Sequence, residues 1–247
     1  MEKYTYLALH LFTVLFPLLF SFDSRISYYK NWKYLFPAIT LVAGLFIVWD
    51  TIFTKEGVWN FNENYVTGIY LNNLPLEEIM FFFTVPYSCV FIYESLKYYI
   101  RKNYFIKVSN MITAGLILYS LLMAIFNLQK LYTFYTFLFL ALALTGTWLF
   151  SGRKFFDQFY IAYAVHLIPF AIVNGILTAL PVVVYNNNEN LGIRMGTIPL
   201  EDAFYSMLLL LLNIFLFEYF KRKFSSTPSE SSKTDSYHHY AEIESER

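Results

Sequence analysis

"LPLEEIMFFF", residues 74–83, sets a proline, two adjacent acids and a phenylalanine run at the head of a long apolar stretch. "IPLEDAFYSM", residues 198–207, repeats the pattern 124 positions later. The offset holds without a gap well outside these segments. Gly68 falls on Gly192, Ile69 on Ile193, Pro75 on Pro199, Leu76 on Leu200, Glu77 on Glu201 and Glu78 on Asp202. Upstream, Asp50 meets Asn174, Asn62 meets Asn186 and Asn64 meets Asn188; downstream, Phe91 meets Phe215, Glu94 meets Glu218 and Lys97 meets Lys221. Self-similarity at a fixed offset sets the architecture before any single element does.

The repeated unit is a membrane unit. Hydrophobic residues make up 57% of the chain and charged residues 15%, against roughly 45–50% and about 25% in ordinary soluble domains. Zero net charge gives no electrostatic footprint for nucleic acid. The single cysteine, Cys89, allows no internal disulfide and reads as a small core residue. About 20 apolar residues cross a bilayer as a helix, and seven such runs lie near 4–22, 34–54, 76–96, 108–127, 132–150, 157–184 and 200–220. The sixth holds Pro169, Gly175 and Pro181, so it is expected to kink or to end near Ala179. The first lacks a basic flank and a small-residue cleavage site and is read as a retained helix.

The 124-residue shift carries spans one to three onto five to seven and leaves span four without a mate. Three helices reverse the direction of the chain across the membrane, and one more restores it. The predicted fold is therefore an all-α integral membrane protein of about seven transmembrane helices. Two parallel three-helix repeats, related by an axis along the membrane normal, are joined by a linking helix. The expected division is 1–100 for the first repeat, 101–130 for the linking helix, 131–223 for the second repeat and 224–247 for a polar, Ser-rich cytoplasmic tail too poor in apolar residues to fold. The tail pair His238 and His239 reads as incidental rather than as a metal site.

Lysine and arginine set the orientation. Connectors 23–33, 97–107 and 151–156 and the start of the tail carry twelve, while the alternate set (Lys3, Lys55, Lys130 and Arg194) carries four. The N-terminus is thus expected outside and the C-terminus in the cytoplasm, with both acidic motifs opening helices at the outer side. A bacterial inner (cytoplasmic) membrane is the expected location.

Pro75 and Pro199 read as first-turn helix residues. The acids after them fit the positive end of the helix dipole, and solvated helix-start acids are the plain reading. Three features weigh against it: acids in membrane segments are expensive and mostly functional, the pattern occurs twice, and aromatic residues follow each copy. Phe81, Phe82 and Tyr205 form an expected aromatic wall, able to stabilise a cation through the ring quadrupole. Adjacent helical residues point about 100° apart, so Glu77 and Glu78 need not face one spot, and pairing across the seam between repeats is equally open. Asp50 and its mate Asn174 lie at motif depth, read either as supporting the site or as interfacial residues. Glu94 with Lys97, and Glu218 with Lys221, read as helix-end ion pairs at the opposite face. His10 and His166 have no ligand-spaced partner and read as core or pore-lining residues.

"PLEE" and "PLED", each opening a membrane helix, resemble the PxE(E/D) signature of the membrane lycopene cyclases, in the form where two repeats are fused into one chain. Residues 49–78, "WDTIFTKEGVWNFNENYVTGIYLNNLPLEE", are similar to that family's run before its first motif, and the resemblance covers all seven spans but not the tail. It implies proton-initiated, non-redox closure of the linear end of lycopene or a related carotene to a β-type ring, an isomerisation with no cofactor and no metal. Glu77 and Glu201 would then be the candidate proton donors, with Glu78 and Asp202 as partners that hold or receive a proton. The implied partners are a carotenoid in the bilayer, membrane lipids, and either other carotenoid enzymes or further copies of the chain. Two readings stay open beside it: a carotenoid hydratase, which would trap the same cation with water, and a proton-coupled transporter, which would carry its acids at mid-bilayer depth. A retinal protein would need a lysine in span seven, and residues 200–220 contain none. A magnesium-dependent prenyltransferase would need D-x-x-x-D motifs, which the chain lacks.

Overall fold

A computed structural model describes residues 2–100, 106–151 and 153–225. Seven long helices dominate it: α1 (Thr5–Phe20), α2 (Trp32–Lys55), α3 (Leu76–Tyr99), α4 (Ile106–Phe126), α5 (Leu131–Ser151), α6 (Arg153–Ala179) and α7 (Leu200–Ser225). Seven segments are long and apolar enough to cross a membrane. In lipid a helix satisfies its own backbone polar groups, which is why apolar runs of this length take that form. The protein is thus an all-α integral membrane protein. α6 stops at Ala179 with Pro181 beyond it, and α7 continues to Ser225, two residues past the expected end of the second repeat. The tail from residue 226, with His238 and His239, lies outside the described residues.

Packing repeats as the sequence does. α1 lies on α3 as α5 lies on α7; α2 lies on α7 as α6 lies on α3; α3 and α7 meet at the centre. α4 has no counterpart and packs against α5 and α6. The seam is tied at both ends. At the acidic end, β1 (Trp59–Phe61) pairs antiparallel with β4 (Val183–Tyr185), bringing Asn60 opposite Val184, its own repeat mate. Flanking bonds follow the same symmetry: Asn62 N–H donates to the Val182 carbonyl and Asn186 N–H to the Val58 carbonyl, both at 2.9 Å. A two-fold axis through the Asn60–Val184 pair relates the repeats, as expected of parallel copies about the membrane normal. At the other end the ion pairs cross between repeats. Lys97 binds Glu218 and Lys221 binds Glu94, while the expected pair within one helix, Lys97–Glu94, is longer at 3.3 Å.

Between the seam strand and each acidic helix runs a tight hairpin, β2–β3 (Tyr70–Leu71 with Leu74–Pro75) and β5–β6 (Arg194–Met195 with Ile198–Pro199). Asn72 (φ 56°) and Gly196 (φ 66°) occupy its left-handed corner, which asparagine and glycine tolerate best. Pro75 stands before the helix rather than in its first turn: its ψ of 149° is extended, it pairs within the hairpin, and Leu76 is the first helical residue. The hairpin hands its chain straight to the helix, with Leu76 N–H bonded to the Ile69 carbonyl and Leu200 N–H to the Ile193 carbonyl.

Candidate active site

The four motif acids begin helices α3 and α7, which touch at the centre of the molecule, and all four are buried. Their side chains divide into two kinds. Glu77 Oε1 accepts the Thr67 N–H at 2.6 Å; Glu201 Oε1 accepts the equivalent Leu191 N–H and the Thr133 hydroxyl, both at 2.7 Å. These two hold the hairpin to the helix start. Glu78 and Asp202 point elsewhere, about a quarter-turn round the helix. The Tyr6 hydroxyl donates to Glu78 Oε2 at 2.5 Å, and the Tyr132 hydroxyl donates to Asp202 Oδ1 at 2.5 Å. The Tyr185 hydroxyl donates to Asp202 Oδ2 at 2.9 Å. Desolvation, and then the neighbouring Asp202 carboxyl, pushes the Tyr185 phenol well above its ordinary range, so it remains a donor.

Glu78 and Asp202 open onto one cavity of ≈ 360 Å³, within the size range of small-molecule sites. Asp50 and Asn174 line it as well, as do Phe81 and Tyr205. Glu77, Glu201 and Phe82 do not. Helical spacing explains the division. Phe81 stands three residues after Glu78, and Tyr205 three after Asp202, so each ring shares the cavity face with the second acid of its motif rather than the first. Phe82 turns into the core against Phe46, ring centroids 5.8 Å apart. No lysine or arginine stands among the described residues that line the cavity. Asp50 Oδ2 and the Tyr205 hydroxyl are buried without a hydrogen-bond partner among the described residues. His166 also lines the cavity, its Nδ1 3.1 Å from Cys89 Sγ, whereas His10 bonds Thr84 outside it. Among the described residues no group of three or more His, Cys, Asp or Glu side chains has the arrangement of a metal site.

The sequence reading passes over Tyr6, Tyr132 and Tyr185. Tyr6 and Tyr132 are 126 positions apart (132 − 6) and do the same work, so α1 maps onto α5 with two residues more than the 124 that relate the rest. The backbone agrees: Tyr6 N–H bonds the Tyr65 carbonyl, and Tyr132 N–H bonds that of Glu189, the mate of Tyr65. A search allowing a two-residue slip in the first span would have found the pair. Tyr185 had no such signal, because its mate is Phe61.

Fold and site together define a class: a helical membrane protein of two parallel repeats, with one acid from each facing a shared apolar chamber. The lycopene cyclase family model matches residues 3–96 and again residues 129–220, leaving α4 between the two matches. The chain belongs to the lycopene cyclase family, which makes it a carotenoid cyclase. No curated protein and no solved structure matches it.

Proposed function

We propose that the protein is a lycopene cyclase of the β type, an isomerase that closes the linear end of lycopene or a related carotene by proton transfer alone. The observation that carries this reading is the convergence of Glu78 and Asp202, one from each repeat, on a single cavity walled by Phe81 and Tyr205. Glu78 is the proton donor. The Tyr6 hydroxyl engages its Oε2, and the residue lines the cavity, where its other oxygen can reach a double bond. Asp202 engages both oxygens with phenols and is suited to hold negative charge beside the developing cation. The reaction is balanced within the substrate. A proton adds to the terminal double bond, the neighbouring double bond attacks the cation to close a six-membered ring, and a ring proton leaves to Asp202 or Asp50. General acid and base need both protonation states at hand, and a set of carboxyls supplies them. Glu77 and Glu201 act through position: they fix the helix starts from which their neighbours project.

A mainly apolar lining favours attack by the internal double bond over capture by water, which supports the cyclase above the hydratase. The acids at helix starts, rather than at mid-bilayer depth, fit a transporter poorly. The distribution of lysine and arginine supports an outer N-terminus and a cytoplasmic C-terminus; a bacterial inner membrane is the location this reading takes. Expression of the chain alone in a lycopene-accumulating bacterium tests the reading. Monocyclic or bicyclic β-carotenes should replace lycopene on chromatography. Unchanged lycopene, with the protein present in the membrane, would reject it.

A further inference from the structure

The two-fold relation implies two equivalent positions for a groove, and among the described residues one of them is open and the other filled. The cavity lies between α1 and α6, backed by α3 and α7. The two-fold relation generates a twin between α5 and α2. Small residues that line the open groove include Thr13, Val173 and Ser206. Their mates in the twin are Phe139, Trp49 and Phe82, by the offsets that pair Tyr6 with Tyr132 and Glu78 with Asp202. These rings fill the space. Trp49 meets Phe139 edge-on at 5.1 Å between centroids and Tyr205 at 5.2 Å, and Phe82 packs on Phe46 at 5.8 Å. In the open groove the Thr13 and Ser206 hydroxyls donate to carbonyls of their own helices, at 2.8 and 2.9 Å, so both present little more than small apolar surface.

We propose that the α1–α6 groove is the sole chamber for the polyene, reached sideways from the bilayer, and that Trp49, Phe82 and Phe139 close its twin. The inference rests on the cyclase reading. Phe12 and Phe16 are 67% and 59% exposed on the lipid side of α1 and line the cavity, so its rim faces hydrocarbon. Along α3 the lining runs from Glu78 to Ile92, about 21 Å at the usual helical rise. The carboxyls lie at one end and a mainly apolar wall makes up the rest, which suits one end of a linear polyene entering end-on. Both acidic motifs then serve one reacting end. The second ring of a bicyclic product requires a second binding event with the substrate reversed.

The test uses the full chain, purified from a lycopene-accumulating bacterium, with co-purified carotenoid (lycopene and its cyclised products together) measured per protein and pigments of the cells analysed in parallel. Thr13→Phe and Val173→Trp copy the blocked twin into the open groove. Each should lower bound carotenoid and ring formation about tenfold or more, since overpacking expels the ligand. Leu15→Phe, which adds a ring to the same helix at an exposed position outside the cavity lining, should keep both, which separates blockage from misfolding. Phe139→Thr, in the twin, should bind at least as much carotenoid as the parent. Blocked variants that hold carotenoid normally, a Phe139→Thr variant that loses it, or a parent that holds neither lycopene nor its cyclised product would each overturn the single chamber. If the parent forms rings and the blocked variants do too, the chamber fails and the cyclase reading stands. If the parent binds lycopene in the expected pattern without forming rings, the chamber stands and the cyclase reading fails.

Discussion

Two glutamates side by side in one motif have different surroundings, and their substitutions should differ in kind. Glu78→Gln removes the proton from an oxygen facing the cavity, and Asp202→Asn removes the charge that two phenols support. Each should reduce ring formation by about 100-fold or more, in the range of a lost general acid or base, while insertion and yield stay normal. Pigment analysis normalised to membrane protein measures this. Glu77→Gln keeps a carbonyl that can accept the Thr67 N–H and should retain most activity. Glu77→Ala leaves that half-buried donor unpaired and should lose about 1 kcal/mol of stability, read as a lower thermal midpoint in detergent. An inactive Glu77→Gln beside an active Glu78→Gln would exchange the two roles. Tyr6→Phe and Tyr132→Phe each release one acid from its phenol. Both should reduce turnover, with Tyr132→Phe the milder because Tyr185 still holds Asp202.

Among the elements, the short strands do most to position the site. β1 and β4 are three residues each, too short to be stable alone, yet they stitch the repeats directly above the carboxyls. Asn60 and Val184 stand opposite one another in an antiparallel pair, where Cα separations fit a disulfide. Asn60→Cys with Val184→Cys should cross-link under mild oxidation. After a cut in the connection between α3 and α4, the two fragments should run together on a non-reducing gel and separately on a reducing one. Fragments that always separate would contradict the register. At the opposite end the crossed ion pairs are partly shielded from solvent. Lys97→Glu should lower the thermal midpoint, and adding Glu218→Lys should restore part of the loss. The effect is expected to be modest, about 1 kcal/mol, because such pairs are screened and partly solvated.

For the whole molecule, the fourth span is what allows two copies of one unit to lie parallel in a single chain. With an outer N-terminus, a reporter active only outside the cytoplasm should be silent when fused after Ser225 and active when fused at the α4–α5 turn near Asn127. The reverse pattern would invert the orientation. The parallel arrangement then explains why one acid from each repeat reaches the same chamber at the same depth, and why the extra helix can lie to one side against α5 and α6.

The sequence carries the span count, the duplication and the parallel relation of the copies. These follow from run length, a constant offset and the parity of crossings, all of which are local or countable. It also located the acids, because charge in an apolar run is costly enough to stand out, and it marked Asp50, Asn174, Phe81 and Tyr205 for the site. The tertiary structure alone decided which acid of each pair faces the cavity, since adjacent helical residues diverge and only packing chooses between them. It decided that Phe82 belongs to the core and that Tyr6, Tyr132 and Tyr185 hold the carboxyls from other elements. It also broke the symmetry that the duplication implies. Whether a groove is open depends on side chains from two helices distant in the chain, and Trp49 with Phe139 fills one where Val173 with Thr13 leaves the other open.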